Sequence, residues 1–129
     1  MSKKLTLADL LTKKEQLKKK KKRTMALYIE SLDAEIVIEE PSRAFAMEAI
    51  EMAQDQTRSD QADAHVVYNC VIEPNLKDKD LQKQFECVEP TDIVDIIFRS
   101  GEVSAISGHV LELAGYGQGV QKVDKELKN

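Results

Sequence analysis

"TMALYIESLDAEIVIEEPS" occupies residues 24–42, and its reading decides the fold class. Met25, Leu27 and Ile29 alternate with Ala26, Tyr28 and Glu30, and then Ile36 and Ile38 alternate with Glu35, Val37 and Glu39. Successive side chains of a strand point to opposite faces, so this period of two describes two strands, each with one aliphatic face. The intervening Ser31–Ala34 holds no glycine, which favours a four-residue connection around a type I turn over a two-residue primed turn. A two-stranded hairpin is marginal by itself in water and has to lie on helices.

Those helices are legible downstream. Pro41 and Ser42 close the second strand, and Ser42 is placed to cap a helix in which Phe45, Ala49, Met52 and Ala53 recur at helical spacing. Ser59 or Asp60 is the expected cap of the next. There Ala64, Val67, Tyr68, Val71 and Ile72 fall at i, i+3, i+4, i+7 and i+8, the pattern of a central core helix that Glu73-Pro74-Asn75 then stops. A short helix, "KDLQKQFE", follows. Pro90 then opens a segment whose apolar face is Ile93, Val94, Ile97 and Phe98, up to Gly101. A last helix runs through Val103, Ile106, Val110 and Leu113, with Gly115 as its left-handed C-terminal cap. The expected class is α+β, mostly α: an N-terminal helix and a β-hairpin packed on a small helical bundle.

Upstream of the hairpin the chain changes character. Thr6, with Asp9 three residues on, is a capping-box start, and Leu7, Leu10, Leu11 and Leu17 share one helical face. From Lys18 to Arg23 no apolar residue appears, so the helix loses its reason to pack and should end. Three parts result: a basic amphipathic arm over 1–23, one globular domain over 24–115 and a polar tail over 116–129, with Val120, Val123 and Leu127 as its only apolar anchors.

Composition narrows the function classes. The 129 residues suit one domain, and 42% hydrophobic with 33% charged residues describes a globular chain with much wetted surface. The start "MSKKLTLADLL" carries an acid and too short an apolar stretch for a secretory signal. No apolar run reaches the roughly 18 residues a membrane helix needs. A cytosolic location follows as the expectation, with Cys70 and Cys87 as reduced packing residues. Residues 1–24 carry ten Lys and Arg against Asp9 and Glu15, a balance of +8, while residues 25–129 carry nine against 21 acids, a balance of −12. An acidic body repels phosphate backbones, so nucleic-acid binding would rest on the arm alone. No aromatic residue interleaves Lys18, Lys19, Lys20, Lys21, Lys22 and Arg23, so base stacking is absent and such binding would be weak, sequence-blind and salt-sensitive. The alternatives are that the arm docks on a partner or folds back on its own acidic body.

Enzyme chemistry has no motif to stand on. "GYGQG" at 115–119 has glycine-loop spacing, but a helix ends into it, presenting carbonyls where an anion needs N–H groups. His65 and Cys70 sit five apart on a helix, about 140° away from one another's direction, which suits no shared zinc ion. Asp92 and Asp95 belong to a helix's first turn, where acids complement the dipole. The expectation is no catalytic residue, no metal site and no cofactor.

Taken in order, "LADLLTKKEQLKKKKKRTMALYIESLDAEIVIEEPS", "DQADAHVVYNCVIEPNLKDKDLQ", "VEPTDIVDIIFRSGEVSAISGHVLELAGY" and "VDKELKN" resemble the XkdN-like tail assembly chaperones of tailed bacteriophages and prophages. The most distinctive pieces are "IEPNLKDKDLQ", the Pro90 segment leading into "IFRSGEVSAI", and the lysine-asparagine ending. The resemblance implies a non-enzymatic protein of the bacterial cytoplasm, absent from the mature virion, that binds the tape-measure protein and keeps it soluble while the tail tube polymerises around it. It implies the tape-measure protein, and beyond it the tail tube protein, as partners, with self-association as a further expectation. It also implies a longer frameshifted companion, and "ELKN" is compatible with a slippery heptamer over Leu127, Lys128 and Asn129. On this footing Leu7, Leu10, Leu11, Leu17 and Lys18 to Arg23 are the candidate partner-binding residues, with no membrane and no nucleic acid involved. A small nucleic-acid-associated or regulatory phage protein using the basic arm is the alternative.

Overall fold

The computed structural model describes residues 3–117 and 119–123, and the fold is α+β and mostly helical. The frameshift reading at Leu127–Asn129, and Leu127 as a tail anchor, lie outside the described residues. Helices α1 (Leu7–Thr12) and α2 (Lys14–Lys18) precede strands β1 (Thr24–Ile29) and β2 (Ala34–Glu39). Helices α3 (Arg43–Gln54) and α4 (Ser59–Cys70) follow, then strand β3 (Val71–Glu73), α5 (Lys79–Gln84), α6 (Asp92–Ile97) and α7 (Ser100–Leu113).

The hairpin pairs antiparallel in the register Met25 with Ile38, Leu27 with Ile36 and Ile29 with Ala34. Its connection is the four residues Glu30–Asp33, one position earlier than expected, because a 3₁₀ turn over Glu30–Leu32 ends on a left-handed Asp33 and frees Ala34 to pair. Ile29, Ile36 and Ile38 are buried and Leu27 packs against them, so the face selected by the alternation is the core face.

The helix over residues 59–72 ends earlier than its spacing predicts. It stops at Cys70, where Val71 turns extended, and Val71–Glu73 become β3, a third strand paired antiparallel with β2 through an irregular register. The sheet order is therefore β1-β2-β3. Val71 serves the core as a strand residue opposite Ile38, while Ile72 points outward. Neither Ser59 nor Asp60 caps this helix: Arg58 holds the N-cap position and no side chain caps it. Its buried face is Ala62, Val66, Val67 and Cys70, and it packs on α3, α6 and α7. In α3, Ser42 Oγ accepts the Phe45 N–H at 3.1 Å, and Ala46 joins the core where Ala53 stays exposed.

Leu76 lies in irregular chain yet is wholly buried. Gln82 Nε2 donates to the Leu76 carbonyl at 2.9 Å and to the Tyr68 hydroxyl at 3.1 Å, satisfying the loop's polar groups so that the leucine can descend into the core. The break between α6 and α7 falls at Phe98-Arg99 rather than Gly101, which lies inside α7. Phe98 is extended and buried, and the Glu102 carboxylate accepts the Arg99 N–H at 2.9 Å, starting the last helix there. That helix closes as a Schellman motif: Gly115, with φ 95°, donates to Glu112 O at 2.8 Å, and Tyr116 donates to Leu111 O at 3.1 Å.

The N-terminal helix departs from the expected packing. Neither α1 nor α2 buries a single residue, so the hairpin lies on the helical body while the arm's apolar stripe is left uncovered. Val120 and Val123 are exposed as well and anchor nothing.

Candidate functional site

The arm is built locally and well. Asp9 N–H donates to Thr6 Oγ1 and Thr6 N–H to Asp9 Oδ2, each at 3.1 Å, completing the capping box. Lys13, at φ −97° and ψ 14°, interrupts the helix between α1 and α2. Leu7, Leu10, Leu11 and Leu17 are 79%, 39%, 72% and 41% exposed, an apolar surface with no cover on the same chain. Lys18, Lys19, Lys20, Lys21 and Lys22 are exposed too, and among the described residues no carboxylate forms an ion pair with them.

Arg23 differs from the lysines before it. Its backbone N–H donates to Glu40 Oε1 at 2.9 Å and its carbonyl accepts the Glu40 N–H at 2.8 Å, extending the β1–β2 ladder. Its guanidinium Nη1 reaches the Leu113 carbonyl at 3.4 Å, a cation at the negative end of α7. The arm is thus tied at its base to the sheet and to the last helix.

A second surface adjoins this anchor, and sequence reasoning missed it. Strand β1 is an edge of the sheet. The Glu40 N–H to Arg23 carbonyl bond sets the alternation of the ladder, in which Met25, Leu27 and Ile29 take the hydrogen-bonded positions towards β2, so the backbone polar groups of Thr24, Ala26 and Tyr28 face the open side. Between β1 and α7 lies a groove of about 480 Å³ lined by Ala26, Tyr28, Glu30, Glu102, Ala105 and His109 among others. A hollow of about 220 Å³ adjoins it at His109, walled by Arg23, Met25, Glu112 and Leu113. The signal that locates it is a second stripe on α7: Glu102, Ala105, His109 and Glu112 recur beside the core stripe Val103, Ile106 and Val110. The Arg99 N–H, and after it Ser31, hold the Glu102 carboxyl below the usual carboxylate range, so the groove's rim is anionic.

The remaining chemical candidates have structural occupations. His65 Nε2 lies 3.0 Å from Glu48 Oε1, and its ring stacks on Phe45 with centroids 4.9 Å apart. Burial pushes the Cys70 thiol up to about 11, which keeps it protonated and unreactive at neutral pH. Asp92 Oδ2 accepts the N–H groups of Val88 and Glu89 at 3.0 and 2.9 Å, fixing the turn before α6. Among the described residues no cluster of three or more His, Cys, Asp or Glu is arranged to hold a metal ion, and no helix is long and apolar enough to cross a membrane.

Comparison with known proteins gives one result. The family model described as phage XkdN-like tail assembly chaperone protein matches residues 7–128, from the first turn of α1 through the tail. No curated protein and no solved structure matches the chain. Since the matched span takes in the arm, the sheet and every helix, the chain belongs to the XkdN-like family of phage tail assembly chaperones.

Proposed function

We propose that this chaperone binds the tape-measure protein and keeps it soluble while the tail tube assembles around it, acting without catalysis in the cytoplasm of the bacterial host and leaving before the virion is complete. The observation that carries this reading is the arm: the capped helix α1 presents Leu7, Leu10 and Leu11, and α2 adds Leu17, with no cover from their own body. Apolar surface of this kind on a soluble chain serves as a docking face, and a helix laid along an amphipathic client helix is a common way to use it. The body's −12 balance over residues 25–129 keeps a complex carrying several copies dispersed through mutual repulsion.

The test is co-expression with the tape-measure protein from the same locus, at physiological salt. The client is expected in the soluble fraction and co-purifying, and the double substitution Leu10→Asp/Leu11→Asp is expected to abolish the complex. A client that stays insoluble beside the wild-type chain removes the chaperoning role. A complex that survives the double substitution removes the arm from the interface.

The unpaired Lys18–Lys22 favour a second reading, an anionic polymer as ligand of the arm. It requires duplex binding that persists at physiological salt, which five flexible ammonium groups on an acidic chain support poorly.

A further inference from the structure

Strand β1 has one side unpaired and undefended. The N–H and C=O groups of Thr24, Ala26 and Tyr28 point away from β2. Such edges are normally blunted by proline or by a charge, yet Thr24–Ile29 reads TMALYI and holds neither. Helix α7 runs alongside this edge: the Arg23 guanidinium meets the Leu113 carbonyl at one end, and Glu102 meets Ser31 at the other. The groove between them carries Glu30, Glu102 and Glu112 at its rim. We propose that the β1 edge is a docking site for an extended peptide segment of a partner protein, one that alternates cationic with small aliphatic residues and joins the sheet as a fourth strand.

Each part of that description has a cause. Unpaired strand N–H and C=O groups are satisfied by another strand, whereas a helix uses its own backbone groups internally. The six residues of β1 span about 20 Å at roughly 3.3 Å per residue, which sets the length of the segment. Alternation follows from the pleat. Every second side chain of the docked strand lies over Glu102 and Glu112 on the α7 side, and the others lie on the outer face beside Ala26 and Tyr28. Lysine or arginine suits the first set and valine or threonine the second. The cation already at the groove, Arg23, is held by the Leu113 carbonyl and leaves the carboxylates unmatched. A second copy is disfavoured, because pairing two β1 edges would set the carboxylates of one groove against those of the other. The chain's own arm is disfavoured too. Helix α2 ends at Lys18, which leaves too few residues before Arg23 for the arm to turn and pair along β1.

The assay uses the full chain and a fluorescein-labelled, end-blocked octapeptide of alternating valine and lysine, so its result is independent of the tape-measure reading. Anisotropy is expected to show saturable binding that weakens as salt rises. Hydrogen exchange at the Ala26 and Tyr28 amides is expected to slow in the complex. The same peptide N-methylated at every residue keeps each charge and loses every backbone donor, and it is expected to bind more weakly by about tenfold or more. On the protein side, Ala26→Pro removes an outward donor without touching the β1–β2 ladder, as edge positions allow, and is expected to weaken the parent peptide by a similar factor with far-UV circular dichroism unchanged. Glu102→Gln/Glu112→Gln, in which glutamine still accepts the Arg99 N–H, is expected to lower affinity at low salt. No binding of the parent peptide, or equal binding of the methylated one, would overturn the proposal. So would protection of Ala26 and Tyr28 that grows with the concentration of the chain alone, which would give the edge to a second copy.

Discussion

The Tyr28 hydroxyl donates to Asp33 Oδ1 at 2.6 Å, across the turn that joins β1 to β2. Asp33 is the left-handed residue of that turn, with φ 48° and ψ 49°, so one side chain both tolerates the strained position and receives the strand's bond. The bond to Asp33, and secondarily burial, raise the Tyr28 phenol above its ordinary 10.0. Because the folded chain holds this proton more tightly than the unfolded one, the contact contributes fully below about pH 10 and is lost as the pH climbs through the raised folded value. Ultraviolet titration of the phenolates, with Tyr28→Phe identifying the signal, is expected to show Tyr28 ionising late. Asp33→Gly keeps the left-handed turn while removing the acceptor, and should return Tyr28 to the ordinary range. An unchanged titration in that variant would show that the bond is not made in solution.

Local signals were legible where one segment alone supplies the cause. The alternation of Ile36 and Ile38, the Thr6–Asp9 box and the Ser42 cap each depend on residues within a few positions, and each stands in the structure. Val71 and Ile72 misled because helical spacing and a strand serving the same core both call for apolar residues there. What converts them is an event far along the chain: Ile38 of β2 offers an open edge, and Val71 pairs with it. Leu76 gave no periodic signal at all, sitting alone between Asn75 and Lys77. The arm's stripe was visible as a stripe, but whether a body covers it is a tertiary fact. The groove was out of reach for the same reason, since only the strand order makes β1 an edge.

Leu76 tests how much of the core hangs on that isolated residue. Its side chain is fully buried, so Leu76→Ala removes contacts and leaves a cavity, at a cost of about 3 kcal/mol in urea denaturation. Leu11→Ala is a comparable truncation on the exposed arm and should change stability by no more than about 0.5 kcal/mol. Equal losses from the two would mean that the arm packs on the body in solution.

The two thiols should separate by reactivity. Cys70 is buried on α4 with its thiol raised to about 11, whereas Cys87 is half-buried after α5. At pH 8 a disulfide-exchange reagent is expected to titrate Cys87 readily and Cys70 only after denaturation. The raised value also sets a direction for stability. The folded chain binds the Cys70 proton more tightly than the unfolded chain, whose thiol titrates near 9.0, so this contribution is intact below that pH and is lost as the pH rises through about 11. Rapid labelling of both thiols in the folded chain would mean that the α4–β3 junction opens readily.

Salt dependence separates a protein-docking arm from a nucleic-acid arm. With Arg23 tied to Glu40 and Leu113, five lysines are free to meet phosphates, and five such contacts give a slope of log K against log salt of about −4.5 on duplex DNA. Fluorescence anisotropy with a labelled duplex is expected to show weak binding at low salt that vanishes at physiological salt. Substituting Lys18–Lys22 with glutamine should abolish that residual binding yet leave the tape-measure protein soluble, because the leucine stripe carries the docking. Leu10→Asp/Leu11→Asp should do the reverse. If the glutamine variant instead lost the client while the leucine variant kept it, the lysines would be the contact, and the arm would act through charge rather than through its apolar face.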